Sequence, residues 1–445
     1  CAGFLMIPSL GLLNSFKTLA FGNLILVVIL MFHYRHKLVP RWLVPALCSC
    51  TLLIALIPSD WNMELVNSGV YCYAPKYAKM GGLNKVLEAE QLIEVIEGSD
   101  CTVAVHESLN TQIRFFSVNG KTDGGTGSDM ATQILIGQLP LLMHSQPDDV
   151  LVVGLGTGIT LNAMADHPTK GITCVEISPE VVKAERYLSH VNGYALKDPK
   201  VSVIVNDGRN QLFTQTKKYD VIVSQPSNPW QTGNANLFTD DFYRLAAERL
   251  KKGGLFCQWL GLYDITTENL RTACRTFLKS FPRVLVFQSQ ANLILVGAQD
   301  SLSIDYQQMQ QRFEDPSIAQ LFEVVKLETP AKLIASQYLF TEQTLTKFAG
   351  DGPINSDDQP ILEFSAHHNL GENTLGELKK KNLEALYNVQ GSKLVLPIHK
   401  FGDDPAIAAS NLREIGQSFA ALGKYRVCLL YTSPSPRDTN LHRVC

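Results

Sequence analysis

The stretch "DVLVVGLGTGIT", residues 149–160, decides the fold of this chain. An apolar run typical of a buried strand ends here at Val153, and Gly154, Gly156 and Gly158 follow at once. Glycines between a strand and a helix permit a tight turn and let backbone N–H groups approach a ligand. The spacing fits neither a Walker loop nor the full dinucleotide pattern. The stretch therefore predicts either a ligand-binding turn of another type or a plain tight turn.

Residues 148–300 alternate strand-like and helix-like segments around this turn. Such alternation predicts an α/β domain with a doubly wound, mainly parallel seven-stranded sheet, Rossmann-like and of the methyltransferase type. The last two strand-like runs are joined by a short polar connection, so one of them should run antiparallel. The seven runs are "DVLVVGLG", "GITCVEIS", "VSVIVND", "YDVIVSQ", "GGLFCQWL", "RVLVFQS" and "ANLILVGA".

Two acidic residues follow the next two predicted strands. Glu176 ends the second strand, where an acid can accept both hydroxyls of a ribose; capping the helix near Pro179 is the alternative. Asp207 ends the third strand, where it could accept the exocyclic amine of an adenine. With the glycine turn, the two acids predict an adenosyl ligand such as S-adenosylmethionine, without requiring a phosphate.

Composition divides the chain into six segments. Apolar runs at 19–32 and 42–58 are each slightly short of the ~20 residues that a membrane span needs, so buried core helices are the alternative. The expected segments are 1–58 transmembrane helices, 59–147 a linker and small antiparallel β-hairpin region, 148–300 the adenosyl-binding domain, 301–370 a helical appendage, 371–426 a helical segment resembling half a tetratricopeptide repeat, and 427–445 a tail outside the native fold. Because the chain begins at Cys1 and enters apolar sequence directly, we expect a fragment of a longer protein.

Charge and cysteine content argue against two other classes of protein. The formal net charge of −3 gives no basic field for nucleic acid. The ten cysteines show no zinc-ligand spacing, so no metal is predicted and the thiols should be buried in a reducing compartment.

Eight short motifs of the soluble part carry a resemblance to a known family. They are "DMATQ", "QLPLLMH", "VVGLGTGIT", "VEISPEVV", "NDGRN", "YDVIVSQPSNPW", "NLFTDDFY" and "GGLFCQW", with "INSDDQPILEF" closing the soluble part. As a set, they resemble the polyamine aminopropyltransferase (spermidine synthase) family. The chain is similar in particular to bacterial proteins that fuse major-facilitator-like membrane spans to a spermidine-synthase-like domain.

The resemblance implies a co-substrate and the residues that hold it. Decarboxylated S-adenosylmethionine, or S-adenosylmethionine itself, is the implied ligand, and no metal is needed. The implied cofactor-binding residues are Gly154, Gly156, Gly158, Glu176, Asp207, Gly208 and Gln133.

The positions that match the family's catalytic and amine-binding acids hold other residues here. Thr157 stands in the glycine loop where the family has an acid, and Gln225 and Asn228 replace two aspartates after the fourth strand. These three are the candidate catalytic residues, although an amide cannot act as a base near neutral pH. Thr132, Gln133 and Ile134 replace a tyrosine–histidine–glutamate cluster, and Asp129 or Asp240 is a candidate substitute acid.

Three functions remain open from the sequence. The first is a membrane-tethered aminopropyltransferase acting on a small amine. The second is an S-adenosylmethionine-dependent methyltransferase, and the third is a non-catalytic adenosyl-binding regulator of the membrane part. The resemblance implies a bacterial inner membrane protein with its soluble domain in the cytoplasm, and a homo-oligomer is compatible with it. The basic loop at 33–41 would be cytoplasmic by the positive-inside rule, but spans upstream could override it.

Overall fold

The computed structural model describes residues 2–33, 61–231, 233–365, 375–390, 394–402 and 404–422, with short pieces at 45–46, 49, 429–431 and 442–444. The predicted span at 42–58 and the predicted tail lie almost entirely outside these residues.

The helices and strands are numbered here in chain order. The helices are α1 (Ile7–His33), α2 (Met63–Val66), α3 (Val70–Lys79), α4 (Leu83–Glu88), α5 (Asp129–Met143), α6 (Ile159–Ala165), α7 (Pro179–Ala184), α8 (Gly208–Thr214), α9 (Asp240–Glu248), α10 (Thr267–Ser280), α11 (Tyr306–Phe313), α12 (Pro316–Val324), α13 (Pro330–Gln337), α14 (Glu342–Ala349), α15 (Ile361–Ser365), α16 (Leu375–Gln390) and α17 (Pro405–Ala421). The strands are β1 (Glu90–Glu97), β2 (Thr102–Ser108), β3 (Arg114–Val118), β4 (Lys121–Gly125), β5 (Asp149–Val153), β6 (Gly171–Glu176), β7 (Val201–Val205), β8 (Tyr219–Ser224), β9 (Leu250–Gly261), β10 (Arg283–Ser289), β11 (Asn292–Ala298), β12 (Ile304–Asp305), β13 (Tyr338–Thr341), β14 (Ile398–His399), β15 (Leu429–Tyr431) and β16 (His442–Val444).

The chain divides into two compact units. One unit is Cys1–Thr122 with Ser178–Ala184, and the other is Asp123–Ile177 with Glu185–Cys445. Helix α5 thus belongs with the large sheet, because its buried side chains pack against the strands of that unit.

The first unit contains one apolar helix and a small antiparallel sheet. A helical stretch at Gly3–Leu30 is long and apolar enough to cross a membrane, with a mean hydropathy of 1.7. The sequence predicted a separate run from residue 19, whereas α1 spans Ile7–His33 as two helical pieces joined at a kink at Gly11. The small sheet has the order β1-β2-β3-β4. It is larger than the predicted hairpin, because β1 and β4 pair at its two edges.

The second unit is built on an eight-stranded sheet of order β13-β10-β11-β9-β8-β5-β6-β7. Strands β7, β6, β5, β8 and β9 are mutually parallel, and β11 runs antiparallel to both β9 and β10, as its short connection predicts. The predicted number of seven strands was wrong. The eighth strand, β13, lies in a stretch predicted to be helical and pairs with β10.

An aromatic core fixes the helices on one face of this sheet. Phe256 of β9 stacks on Phe281 with ring centroids 4.8 Å apart, and Tyr243 and Phe277 contact it edge-on or tilted. Threonine caps begin the two helices that supply these rings: Thr266, for example, accepts from the Asn269 N–H at 3.1 Å. The sheet and its core therefore hold the strand ends in place.

The closing segment 351–365 is bound to this core through Asn355, which is fully buried. Its carbonyl accepts from the Asp240 N–H at 2.9 Å, and its side chain donates to the Phe238 carbonyl at 3.0 Å. Its own N–H donates to the Thr276 hydroxyl at 3.0 Å. Nearby, Asp357 pairs with Arg209 of α8 in a two-point ion pair.

Candidate functional site

The carboxyl ends of the parallel strands meet at one edge of the large sheet. The strand order reverses at β5, with β6 and β7 on one side and β8 and β9 on the other. In open α/β sheets a crevice forms at such a reversal, and ligands bind there. The residues predicted from sequence at these strand ends therefore lie along the edge where such a crevice is expected.

The glycine loop after β5 needs glycine for two different reasons. Gly154, Gly156 and Gly158 have φ angles of 95°, 54° and 79°, a region that residues with a side chain rarely adopt. A Cβ on Gly154 would also lie 2.8 Å from the backbone oxygen of Gln225, while one on Gly156 would meet nothing within 4 Å. The loop is thus tight against the β8 side and open at Gly156.

Glu176 is buried at the end of β6 and is bound by the glycine loop. Its Oε2 accepts from the Leu155 N–H at 2.9 Å, and the Gly154 N–H donates to the Val175 carbonyl at 2.8 Å. The alternative was that Glu176 caps the helix that begins at Pro179. That alternative is wrong, because the Ser178 hydroxyl caps this helix by accepting from the Val181 N–H at 3.2 Å. Glu176 therefore has a fixed orientation at the crevice.

Asp207 and Gly208 follow β7. Asp207 is exposed and caps α8, since its Oδ1 accepts from the Asn210 N–H at 2.7 Å. Gly208 is buried against β5, and a Cβ there would lie 2.4 Å from Cγ1 of Val153. Gly208 thus allows the close packing of α8 on the strand before the glycine loop, and Asp207 has a structural role in addition to any contact with a ligand.

An open groove of about 440 Å³ borders Asp207 on the other side, between α8 and α9. Its walls carry both charge signs, with Arg209, Asp241, Arg244 and Glu248, and include none of the glycine loop. This groove is separate from the set of residues around Glu176.

Gln133 and Thr157 are bonded to each other. The Thr157 hydroxyl donates to Oε1 of Gln133, and Nε2 of Gln133 donates to the Gly125 carbonyl at 3.1 Å. Both side chains are buried. Gln133, a predicted ligand contact, and Thr157, a predicted catalytic residue, thus join α5 to the glycine loop.

Gln225 is held by Thr160, a residue that the sequence reasoning missed. The Thr160 hydroxyl donates to Oε1 of Gln225 at 2.6 Å and lies 3.0 Å from the Gln133 carbonyl. The amide oxygen of Gln225 is therefore engaged, and no acceptor for its Nε2 occurs among the described residues. Thr160 is the last residue of the stretch 149–160 that contains the glycine loop. Its position in the first turn of α6, directly after that loop, could have identified it as a site residue.

Asn228 and Ser227 belong to the same loop after β8 as Gln225. Asn228 is 2% exposed, and its Oδ1 has no hydrogen-bond partner among the residues that the structure describes. The Ser227 hydroxyl donates to Asp123, the middle residue of β4, where the second unit begins. The sequence reasoning also missed Asp123, because 104 residues separate the two partners.

Three carboxylates lie within electrostatic reach of Tyr263, which follows β9. Burial raises the pKa of the Tyr263 phenol well above its ordinary value, and Asp129, Asp264 and Asp123 raise it further. Asp240, the other predicted substitute acid, instead pairs with Lys279 at 2.7 Å. Of these acids, Asp123 lies beside the Ser227 loop, which itself contains no acid. Among the described residues, no group of three or more His, Cys, Asp or Glu side chains could hold a metal ion.

Known proteins are similar to the part of the chain that contains the glycine loop and the strand ends around it. The sequence model of the spermine/spermidine synthase domain matches residues 130–291. A polyamine aminopropyltransferase from Sodalis glossinidius is 31% identical over 157 residues, 35% of this chain and 54% of that protein. One from Yersinia pestis is 38% identical over 120 residues, 26% of this chain and 40% of that protein. The chain thus spans about half or less of the length of these relatives.

Solved structures of the same kind are also similar. The spermidine synthase of Thermotoga maritima has a TM-score of 0.42 and 18% identity, covering 49% of this chain and 77% of that one. A spermidine synthase in complex with the transition-state analogue AdoDATO has the same score and identity, covering 62% and 84%. Residues 130–291 thus match the sequence model of the spermine/spermidine synthase domain, and the chain is similar to polyamine aminopropyltransferases over part of their length.

Proposed function

We propose that the crevice at the ends of β5–β8 binds decarboxylated S-adenosylmethionine and that the domain transfers its aminopropyl group to a small amine. The observation that carries this proposal is the buried Glu176 carboxylate, oriented by the Leu155 N–H where the strand order reverses. A carboxylate can accept about four hydrogen bonds, enough for this backbone bond and for both hydroxyls of a ribose.

The adenine would lie on the β6–β7 side of the crevice. Ile177, directly after Glu176, is 60% exposed and offers an apolar surface for a flat base. Asp207 is at the end of the adjacent strand, where its carboxylate could accept the exocyclic amine while it caps α8. This arrangement supports the adenosyl part of the proposal.

Aminopropyl transfer is an in-line displacement that needs a neutral amine. The nitrogen lone pair attacks the methylene carbon beside the sulfonium, the C–S bond breaks, and methylthioadenosine leaves while the nitrogen loses a proton. Gln225 and Asn228 cannot take that proton near neutral pH. The acids that could attract a cationic amine are Asp123, bonded to Ser227, with Asp129 and Asp264 near Tyr263.

Binding without catalysis is the second candidate, favoured by one observation. The amide oxygen of Gln225 is bonded to Thr160, so the loop turns a hydrogen-bond donor rather than an acceptor towards a ligand. A donor in this place repels a protonated amine. A regulator that binds the nucleoside would keep the crevice and lose this charge.

Calorimetric titration of the full chain with decarboxylated and intact S-adenosylmethionine tests the proposal. We expect tight binding of the decarboxylated form, at least tenfold weaker binding in Glu176→Gln, and no change in the exposed control Glu314→Gln. Release of methylthioadenosine with a diamine supports transfer, and binding without turnover supports the regulator. Methyl transfer with adenosylhomocysteine as product would support a methyltransferase instead. Binding of neither compound would contradict the adenosyl site.

Membrane attachment through α1 is part of the proposal. The stretch Gly3–Leu30 is long and apolar enough for one span and is 6% buried. The larger fused membrane domain, the bacterial inner membrane with a cytoplasmic soluble domain, and a homo-oligomer stay predictions from sequence. Membrane fractionation with and without residues 1–33 tests the attachment itself.

A further inference from the structure

Helix α1 contacts strand β1 of the small sheet near Glu97. At the Gly11 kink the backbone has φ 76° and ψ 167°, and the Leu12 N–H beyond it donates to Oε2 of Glu97 at 2.9 Å. Ser15 is buried, whereas Phe16 and most of the apolar residues after it are exposed. The helix from Phe16 to His33 is about 27 Å long at 1.5 Å per residue, close to the ~30 Å of a bilayer's hydrocarbon core.

The side chains around Phe16 are those found where a span leaves the bilayer. The rings of Phe16 and Trp61 lie 6.3 Å apart, and Lys17 follows Phe16 in α1. Tryptophan is enriched at the membrane–water boundary, and lysine can extend its ammonium from there into water. The boundary along α1 therefore falls near Phe16 and Trp61.

The segment after Trp61 carries exposed apolar side chains beyond the exposed Asn62 and Glu64. Leu65 and Val66 of α2 are exposed, and in α3 Val70 is 39% and Tyr71 58% exposed. The other side of α3 packs inward through Cys72 and Tyr77. The exposed face of α3 continues through Ala74 and Ala78 without a charged residue, and Lys76 and Lys79 lie in the last turn.

This face begins at the end of the small sheet where α1 is docked. Gly69, before α3, packs so closely on the β3–β4 turn that a Cβ would lie 2.1 Å from the Gly120 oxygen. In the same turn the Asn119 N–H donates to the Thr102 carbonyl at 2.8 Å, and Thr102 pairs with Glu97. The start of α3 and the Leu12–Glu97 contact therefore share one end of the sheet.

We propose that the apolar face of α2 and α3, formed by Leu65, Val66, Val70 and Tyr71, lies in the headgroup layer of a lipid bilayer beside the entry of α1. The inference rests on the proposed attachment through α1. The occupant is a bilayer because the face follows Trp61 directly in the chain, and Trp61 contacts Phe16 at the inferred boundary of the span. Lys76 and Lys79 would attract anionic headgroups.

Photolabelling in vesicles tests this surface. The full chain is reconstituted into phosphatidylcholine–phosphatidylglycerol vesicles containing a lipid with a carbene precursor at the glycerol level, and labelled peptides are mapped by mass spectrometry. We expect label on α1 and on residues 61–80. We expect at least tenfold less label at Leu109, which is 56% exposed and bonds to Ala89 at the other end of the sheet.

Paired variants separate this surface from the span. Val70→Asp with Tyr71→Asp should lower labelling of 61–80 at least fivefold and leave α1 labelled, whereas Leu109→Asp should change neither. An acid at Val70 is compatible with the first turn of a helix, so the variant should fold.

Three results would overturn the inference in different ways. If α1 is labelled and 61–80 in the unchanged chain is labelled no more than Leu109, the surface is wrong and the attachment stands. If 61–80 is not labelled by the lipid and a chemical cross-linker added in parallel joins Lys76 or Lys79 of two copies, the occupant is a second copy of the chain. If α1 itself is not labelled, the attachment fails and this inference fails with it.

Discussion

The two sides of the proposed crevice differ in the polar groups that they present. On the glycine-loop side, a buried carboxylate is bonded to a backbone N–H, and backbone bonds join neighbouring strand ends. On the β8 side, Gln225 and Asn228 present amides, and one buried amide oxygen has no partner among the described residues. Backbone geometry depends on glycine and strand order, whereas proton transfer depends on single side chains. The geometry of the strand ends and the side-chain chemistry of the β8 loop can therefore vary independently.

Restoring one acid on the β8 side should have the largest effect. In Gln225→Glu the new carboxylate can still accept the Thr160 hydroxyl, so its position should be kept. A positioned general base typically contributes about 10²–10⁴ in rate, so methylthioadenosine release with a diamine should rise by that order. The matched control Gln231→Glu, in the same loop, should give no gain. An unchanged rate in both variants would show that the missing acid at 225 is not what limits transfer.

Disturbing the glycine-loop side should abolish ligand binding. Gly154→Ala combines a φ of 95° with a Cβ that would lie 2.8 Å from the Gln225 oxygen, so the loop must shift. We expect at least 100-fold weaker binding in calorimetry and a loss of about 2–3 kcal/mol in the free energy of unfolding. Gly156→Ala, with open space around the Cβ, should cost only about 1 kcal/mol. Equal losses in the two variants would contradict the difference between these positions.

Acid should weaken the structure behind the glycine loop. His167 is buried with its Nε2 2.8 Å from Oε1 of Gln138, and burial lowers its pKa to about 3. Below an ordinary pKa of ~6.5 the unfolded chain binds a proton that the folded chain does not, so His167 lowers the free energy of unfolding as the pH falls. The loss is about 1.4 kcal/mol per pH unit, or about 2 kcal/mol between pH 6.5 and 5.

Urea unfolding at several pH values, with His167→Gln as the comparison, isolates this contribution. The variant keeps an N–H donor for Gln138 and removes the titrating group. Its stability should depend less steeply on pH than that of the unchanged chain by this amount. Parallel pH profiles would contradict the assignment.

Asp207 should give the smallest effect and separates its two roles. Asp207→Ala removes the cap on α8 and should cost about 1 kcal/mol in unfolding, whereas Asp207→Asn keeps a capping oxygen and should cost little. Both variants remove the anionic acceptor proposed for adenine. If Asp207→Asn binds the adenosyl ligand as tightly as the unchanged chain does, Asp207 caps α8 and the proposed contact of its carboxylate with adenine is wrong.

The sequence was informative where the signal is local. The glycine stretch, the parallel strands and the acids at their ends follow from short apolar runs and turn residues, and the structure has strands at all seven predicted runs. Strand β13 was predicted as helix because four residues between two helices carry little pattern of their own, and its strand conformation comes from pairing with β10. Asp123 could not be assigned to the site, because only the fold brings it to Ser227.

The burial of Asn355 determines how far this protein can be shortened without losing its fold. The matched domain ends at residue 291, yet the sheet is completed by β13 and the core helices are bonded through Asn355. A chain shortened to the matched domain would leave the Phe238 carbonyl and the Asp240 N–H without these partners and would expose the edge of β10. The region that relatives share is thus smaller than the region that folds. A protease-resistant fragment of the second unit should extend beyond residue 365.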